Sequence, residues 1–268
     1  MSIPTPRKLD VDFTTVPRHW LAGNPAATAI SNGINMLFPH GERYFVRSVH
    51  HYLDQIDDPE LRAQVKAFFK QEGLHASAHD DFNAMLRRQG FAIDRFLDRY
   101  KRISSWFEQR LPPKINLAGT AAAEHFTAIL ADGAFSKGIL DALDPTVQQL
   151  LAWHAAEEIE HKAVAYDVPQ QIDTSYAVRL AGLAYATVML GAFWIWATTM
   201  LLRQEKLGLR ETLRQLGAMR QRDPVIRRVF IRGIRQYIRR DFHPRHNANE
   251  HLAAEWFAAR GYSLPEAA

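Results

Sequence analysis

The pattern Glu-x-x-His occurs twice in this chain, as Glu72-Gly73-Leu74-His75 and Glu158-Ile159-Glu160-His161. Each copy has a glutamate one helix upstream: Glu42 lies 30 residues before Glu72, and Glu124 lies 34 before Glu158. Residues three apart share a helix face, so each pair can present a carboxylate and an imidazole to one ion. Two such pairs, with one further Glu from each of two other helices, make the ligand set of a carboxylate-bridged dimetal site in a four-helix bundle. A chain that builds this site must bring four helices around one point.

The remaining pattern is helical as well. No run of β-branched residues alternates with polar ones between turn dipeptides, and no Gly-rich phosphate loop occurs. Residues 25–55 read as helix, broken at Phe38-Pro39-His40-Gly41 so that Glu42 begins the next one. Asp57-Asp58-Pro59-Glu60 combines cap, first-turn proline and acid, and starts a helix that Gly90 ends. Further helices are expected over 93–110, stopped by Pro112-Pro113, over 116–141, and from Asp144-Pro145 to 167, before Pro169. Basic helices follow near 209–222, 225–240 and 249–259. The expected class is all-α, a ferritin-like four-helix bundle with extra helices, one of them long and apolar. Its expected parts are an extended N-terminal arm over 1–24, a dimetal core over 25–170, an apolar helix over 176–204 and basic helices over 205–268.

The candidate ligands are Glu42, Glu72, His75, Glu124, Glu158 and His161. Bridging carboxylates on Glu72 and Glu158 would neutralise two divalent ions and hold them close, with the other four as terminal ligands. Glu124 sits among Thr120, three alanines and Phe126, where an unpaired carboxylate is costly. His79 shares the face of Glu72 and His75, and His154 that of Glu158 and His161, so each is a candidate additional ligand or orienting donor. Glu157 competes with Glu158, and the Glu-x-x-His spacing favours Glu158. Glu160 is expected to point into solvent, and His50, His51 and His125 to be structural or surface residues. Tyr166 and Trp153 are candidates for radical or gating roles or for core packing. The chain has no cysteine, which excludes disulfides, iron–sulfur clusters, Cys-ligated zinc and a thiol nucleophile.

The stretch Trp153-His154-Ala155-Ala156-Glu157-Glu158-Ile159-Glu160-His161-Lys162, continued to Tyr166-Asp167, resembles the signature of the bacterial family called predicted metal-dependent hydrolases. Phe38-Pro39-His40-Gly41-Glu42 and Gln71-Glu72-Gly73-Leu74-His75 resemble its earlier motifs, so the resemblance covers roughly residues 20–240. It implies metal binding more firmly than hydrolysis. Through its six candidate ligands the chain also resembles the wider ferritin-like di-iron superfamily, from whose simplest members the surplus His79 and His154 depart. The leading expectation is a non-haem di-iron oxygenase or oxidase that uses dioxygen, two iron ions (or manganese) and an external electron donor on a hydrophobic small molecule or lipid. The alternatives are a metal-dependent hydrolase of an ester or phosphoester, and a non-enzymatic, membrane-associated metal-binding protein.

The net charge of +4 is unevenly spread. Residues 1–179 carry −3, residues 203–268 carry +7, and residues 180–202 hold no charge. That uncharged segment would form a helix of about 34 Å, enough to cross a bilayer core. It is read as spanning the membrane, dipping into it or lying along it, or as buried in the protein or a homodimer interface. Two Lys/Arg precede it within 20 residues and six follow, which places the basic side in the cytoplasm. Arginines at 227, 228, 232, 235, 239 and 240 interleave with apolar residues, as on a helix that meets anionic lipid or packs its apolar side on the bundle. No nucleic-acid-binding module accompanies them. With no signal peptide at the start, the expected location is the cytoplasm, at the inner face of the membrane.

Overall fold

A computed structural model describes residues 3–136, 138–172, 174–220 and 225–262; the side chains of 139, 218–220 and 225–230 lie outside that description. The helices are α1 (Pro25–Asn35), α2 (Phe38–His50), α3 (Pro59–Arg88), α4 (Asp94–Arg110), α5 (Pro113–Ser136), α6 (Pro145–His161), α7 (Val164–Gln171), α8 (Tyr176–Gln204), α9 (Leu209–Arg220), α10 (Val225–Tyr237) and α11 (Glu250–Ala258). No strand occurs among the described residues, and the all-α expectation holds.

Helix starts follow local chemistry. Asp58 caps α3 by accepting from the Glu60 N–H, Asp144 caps α6 by accepting from Thr146, and each is followed by proline. Gly90, at φ +85°, closes the end of α3 in the left-handed region. Proline punctuation was read too strictly in three places. Pro39 lies in the first turn of α2, where its missing N–H costs nothing, so the break falls at Met36-Leu37 and Glu42 is already inside the helix. Pro113 likewise opens α5, ahead of the expected start at 116, while α4 ends at Arg110 as expected. The helix from residue 145 ends at His161, breaks at Lys162-Ala163, and resumes as α7 with Pro169 inside it. Residues 139–142 form a 3₁₀ turn instead of continuing α5.

The centre is a four-helix arrangement in which α2 packs on α3, α5 on α6, and the two pairs on each other. Helix α8 lies outside it, along α5 and α1. At Gly182 a Cβ would fall 2.4 Å from the Ala118 backbone, so only glycine permits this approach of α8 to α5. By length and composition alone α8 could cross a membrane. One side of it packs on protein, while Val188 and Ile195 stand exposed on the other.

Residues 3–24 form no helix, yet Phe13, Val16 and Trp20 are buried in the main core, with Phe13 and Trp20 packed edge-on against Phe82. Backbone bonds from Ala22 N–H to Ala142 and from Asp144 N–H to Trp20 pin the segment beside the start of α6. In the basic tail, Gly233 and Tyr237 turn inward against α5, and Arg232, Arg235, Arg239 and Arg240 are exposed. The side chains of Arg227 and Arg228 fall outside the described residues.

Candidate metal centre

The six expected ligands converge between α2, α3, α5 and α6. Each of Glu42, Glu72, His75, Glu124, Glu158 and His161 is at most 3% exposed. His161 Nε2 lies 3.2 Å from Glu72 Oε1, 3.3 Å from Glu124 Oε2 and 3.5 Å from Glu158 Oε2. His75 Nδ1 lies 3.6 Å from Glu72 Oε1 and 3.8 Å from Glu158 Oε1. The surplus histidine on α6 joins them: His154 Nε2 is 2.8 Å from Glu158 Oε1 and 3.5 Å from Glu42 Oε1. Glu158 therefore turns one oxygen to each imidazole of its own helix. The remaining two candidates touch these imidazoles, and His79 also has a ligand atom within 4.8 Å of those of Glu42 and His154. His79 Nε2 is 2.7 Å from His154 Nδ1, and Glu157 Oε2 is 3.0 Å from His75 Nε2.

The imidazoles are oriented by neighbours. Gln71 Nε2 donates to Glu160 Oε2, which leaves Gln71 Oε1 as acceptor for the Nδ1–H of His161 at 2.9 Å. His161 then turns Nε2 toward three carboxylates. Glu157 accepts from His75 Nε2–H, so Nδ1 is the free nitrogen that faces Glu72 and Glu158. Such anchoring holds the tautomer and raises the basicity of a ligating histidine. Thr127 donates its hydroxyl to Glu158 Oε2.

Three features of this surround escaped the sequence reading. Gln71 is a neutral residue beside a charged motif. Arg7 comes from the arm, pairs with Glu160 through two nitrogens at 2.9 and 3.1 Å, and donates its backbone N–H to Glu157 Oε1 at 3.0 Å. Glu160, expected in solvent, is covered by that arm. Nothing in the sequence singles Arg7 out among the charged residues of the arm, Lys8, Asp10, Asp12 and Arg18, until the arm has a place to go.

Both oxygens of Glu42, Glu72 and Glu124, His75 Nδ1 and His161 Nε2 are buried without a hydrogen-bond partner. Burial, then neighbouring carboxylates, push Glu42 and Glu72 well above the usual carboxylate range. Burial and Glu158 lift Glu124 to about 7, and burial lifts Glu157 to about 8 against the pull of Arg7. Burial acts the same way on Glu158, but His161 and His154 outweigh it and hold that carboxyl well below the usual range. Burial holds His75 and His79 low, whereas Glu158 and Glu124 overcome burial at His161 and raise it to about 10. Orphaned anionic and imidazole donors aimed at one another are costly unless a cation compensates them. Glu72, Glu124, Glu158 and His161 have ligand atoms within 4.8 Å of one another, as do His75, His154 and Glu158. The residues fit a metal centre.

Residues 5–248 match the family model of predicted metal-dependent hydrolases. The chain belongs to this family. No curated protein and no solved structure matches it. For this member of the hydrolase family, the leading expectation of a di-iron oxygenase is corrected: the family description names metal-dependent hydrolysis, the first of the alternatives. The physical reason for the misreading is plain. Glutamate and histidine at these spacings specify that metal is held, while the same ligands serve redox and Lewis-acid chemistry alike.

Proposed function

We propose that the chain is a dinuclear metal-dependent hydrolase of an ester or phosphoester. The observation that carries this reading is Glu158, whose two oxygens face His154 on one side and His161 on the other, amid orphaned carboxylates and imidazoles. His161, Glu124 and Glu72 would hold one ion and His75, His154 and Glu42 the other, with Glu158 facing both. This carboxylate-rich donor set, completed by imidazole, suits iron(II) or manganese(II). When bound, two such ions supply Lewis acidity toward a carbonyl or phosphoryl oxygen and acidify water near neutral pH.

The chain's own residues do the rest. Glu157 and Gln71 keep His75 and His161 in the ligating tautomer. Thr127 restrains Glu158. Glu42 lines an apolar cavity and so marks the edge of the carboxylate cluster that a substrate would meet. A hydrophobic substrate and contact with the inner face of a membrane through the exposed side of α8 are consistent with this site. The test is metal analysis of the purified protein, followed by ester and phosphoester panels before chelation, after it, and after refilling with iron(II) or manganese(II). We expect about two ions per chain and turnover that chelation abolishes and refilling restores, with or without dioxygen. Absence of bound metal, or metal-loaded protein inert toward both panels, overturns the reading.

A further inference from the structure

Between α2, α4, α5 and α8 lies a cavity of about 100 Å³. Glu42 lines it, as does Thr127, whose hydroxyl is bonded to Glu158, so it abuts the proposed metal centre. Leu37, Phe45, Ala186, Met189, Leu190 and Phe193 form its apolar wall. Tyr100 and His40 line both it and a larger cavity of about 490 Å³ that Arg43, Arg47 and Lys101 border. No lysine or arginine is among the residues that line the apolar cavity. A charged substituent would therefore be desolvated there without a counter-ion, so the cavity suits an apolar group.

We propose that this cavity seats the apolar group of the substrate, a short chain on the ester that the site hydrolyses. The proposal rests on the hydrolase reading and narrows it. An apolar cavity of about 150 Å³ takes benzene, so this one suits a chain of about four carbons. With the chain in the cavity, the ester carbonyl lies toward Glu42 and the carboxylate cluster. Water adds to the carbonyl carbon, the bond from that carbon to the alkoxy oxygen breaks, the leaving alkoxide takes a proton, and acid plus alcohol result. Ala186 and Met189, both on α8, set the length of the cavity, which gives the long apolar helix a part in specificity.

Two readouts test this on full-length, metal-loaded protein. One is the rate profile over p-nitrophenyl esters from acetate to octanoate; the other is calorimetric binding of butanamide, which lacks the scissile ester. Ala186→Phe fills the cavity and should weaken butanamide binding at least tenfold, moving the preference toward acetate with metal content unchanged. Met189→Ala enlarges the cavity and should move the optimum one or two carbons longer; it decides alone if Ala186→Phe does not fold. Should butanamide binding respond to the variants while no ester is turned over, the cavity assignment stands and the hydrolase reading falls. Should esters be turned over with a chain-length preference and butanamide affinity that Met189→Ala leaves unchanged, the hydrolase reading stands and the cavity assignment falls.

Discussion

The two helices that carry Glu-x-x-His, α3 and α6, repeat one another up to a point. In both, the residue just before the motif reaches across to the other helix and holds its histidine: Gln71 to His161, Glu157 to His75. In both, that residue is tied to Arg7 of the arm, Glu157 through the backbone N–H and Gln71 through Glu160. The repeat fails four residues before the motif glutamate. There α6 has His154, turned toward Glu158 and Glu42, while α3 has Phe68, whose ring packs edge-on against His161 at 5.1 Å. One side of the centre therefore has two imidazoles and the other has one. The residues that would hold two ions here are inequivalent.

Breaking the shared element should have the largest effect. Glu158→Ala removes the carboxylate that faces both sides, and bound metal should fall from about two ions per chain to near zero by elemental analysis. His154→Phe makes α6 resemble α3 at the divergent position; we expect one ion to be lost and one retained, and loss of both would show that the two sides are not separable. Arg7→Ala strikes the feature common to both halves. It removes the guanidinium bonded to Glu160 while the backbone N–H bond to Glu157 remains, and leaving Glu160 buried without its cation should cost about 3–5 kcal/mol by denaturant unfolding. Gln71→Ala and Glu157→Ala each undo one cross-anchor, and metal affinity should fall about 10–100-fold in each when measured by chelator competition. His79→Ala should have the smallest effect on metal, a few-fold at most, because its Nε2 is spent on His154. A larger effect would make His79 a ligand in its own right.

Legibility followed the range of the forces involved. Caps and first-turn prolines at Asp58-Pro59 and Asp144-Pro145 act within a few residues and were readable, and so was the common face of Glu72, His75 and His79. The same local rules misplaced the break before Glu42, since a proline that ends one helix can as well begin another. Helix geometry correctly set Glu160 apart from the metal-facing side of α6, but it carries no information about what covers the opposite side. Arg7, more than 150 residues away in sequence, does so. The redox expectation failed at a different level, because ligand spacing encodes coordination and not the reaction run on it.

Spacing along helices therefore determined the set of residues that converge here, because the α-helical period makes face membership a matter of counting. Tertiary packing decided which carboxylate faces both sides and that His79 meets His154 across the two helices. It also decided that the uncharged segment commits one side to α5 and α1 and helps line a cavity beside Glu42. Those outcomes depend on hydrogen bonds and close approaches between segments far apart in the chain, and only the folded molecule brings those partners within reach.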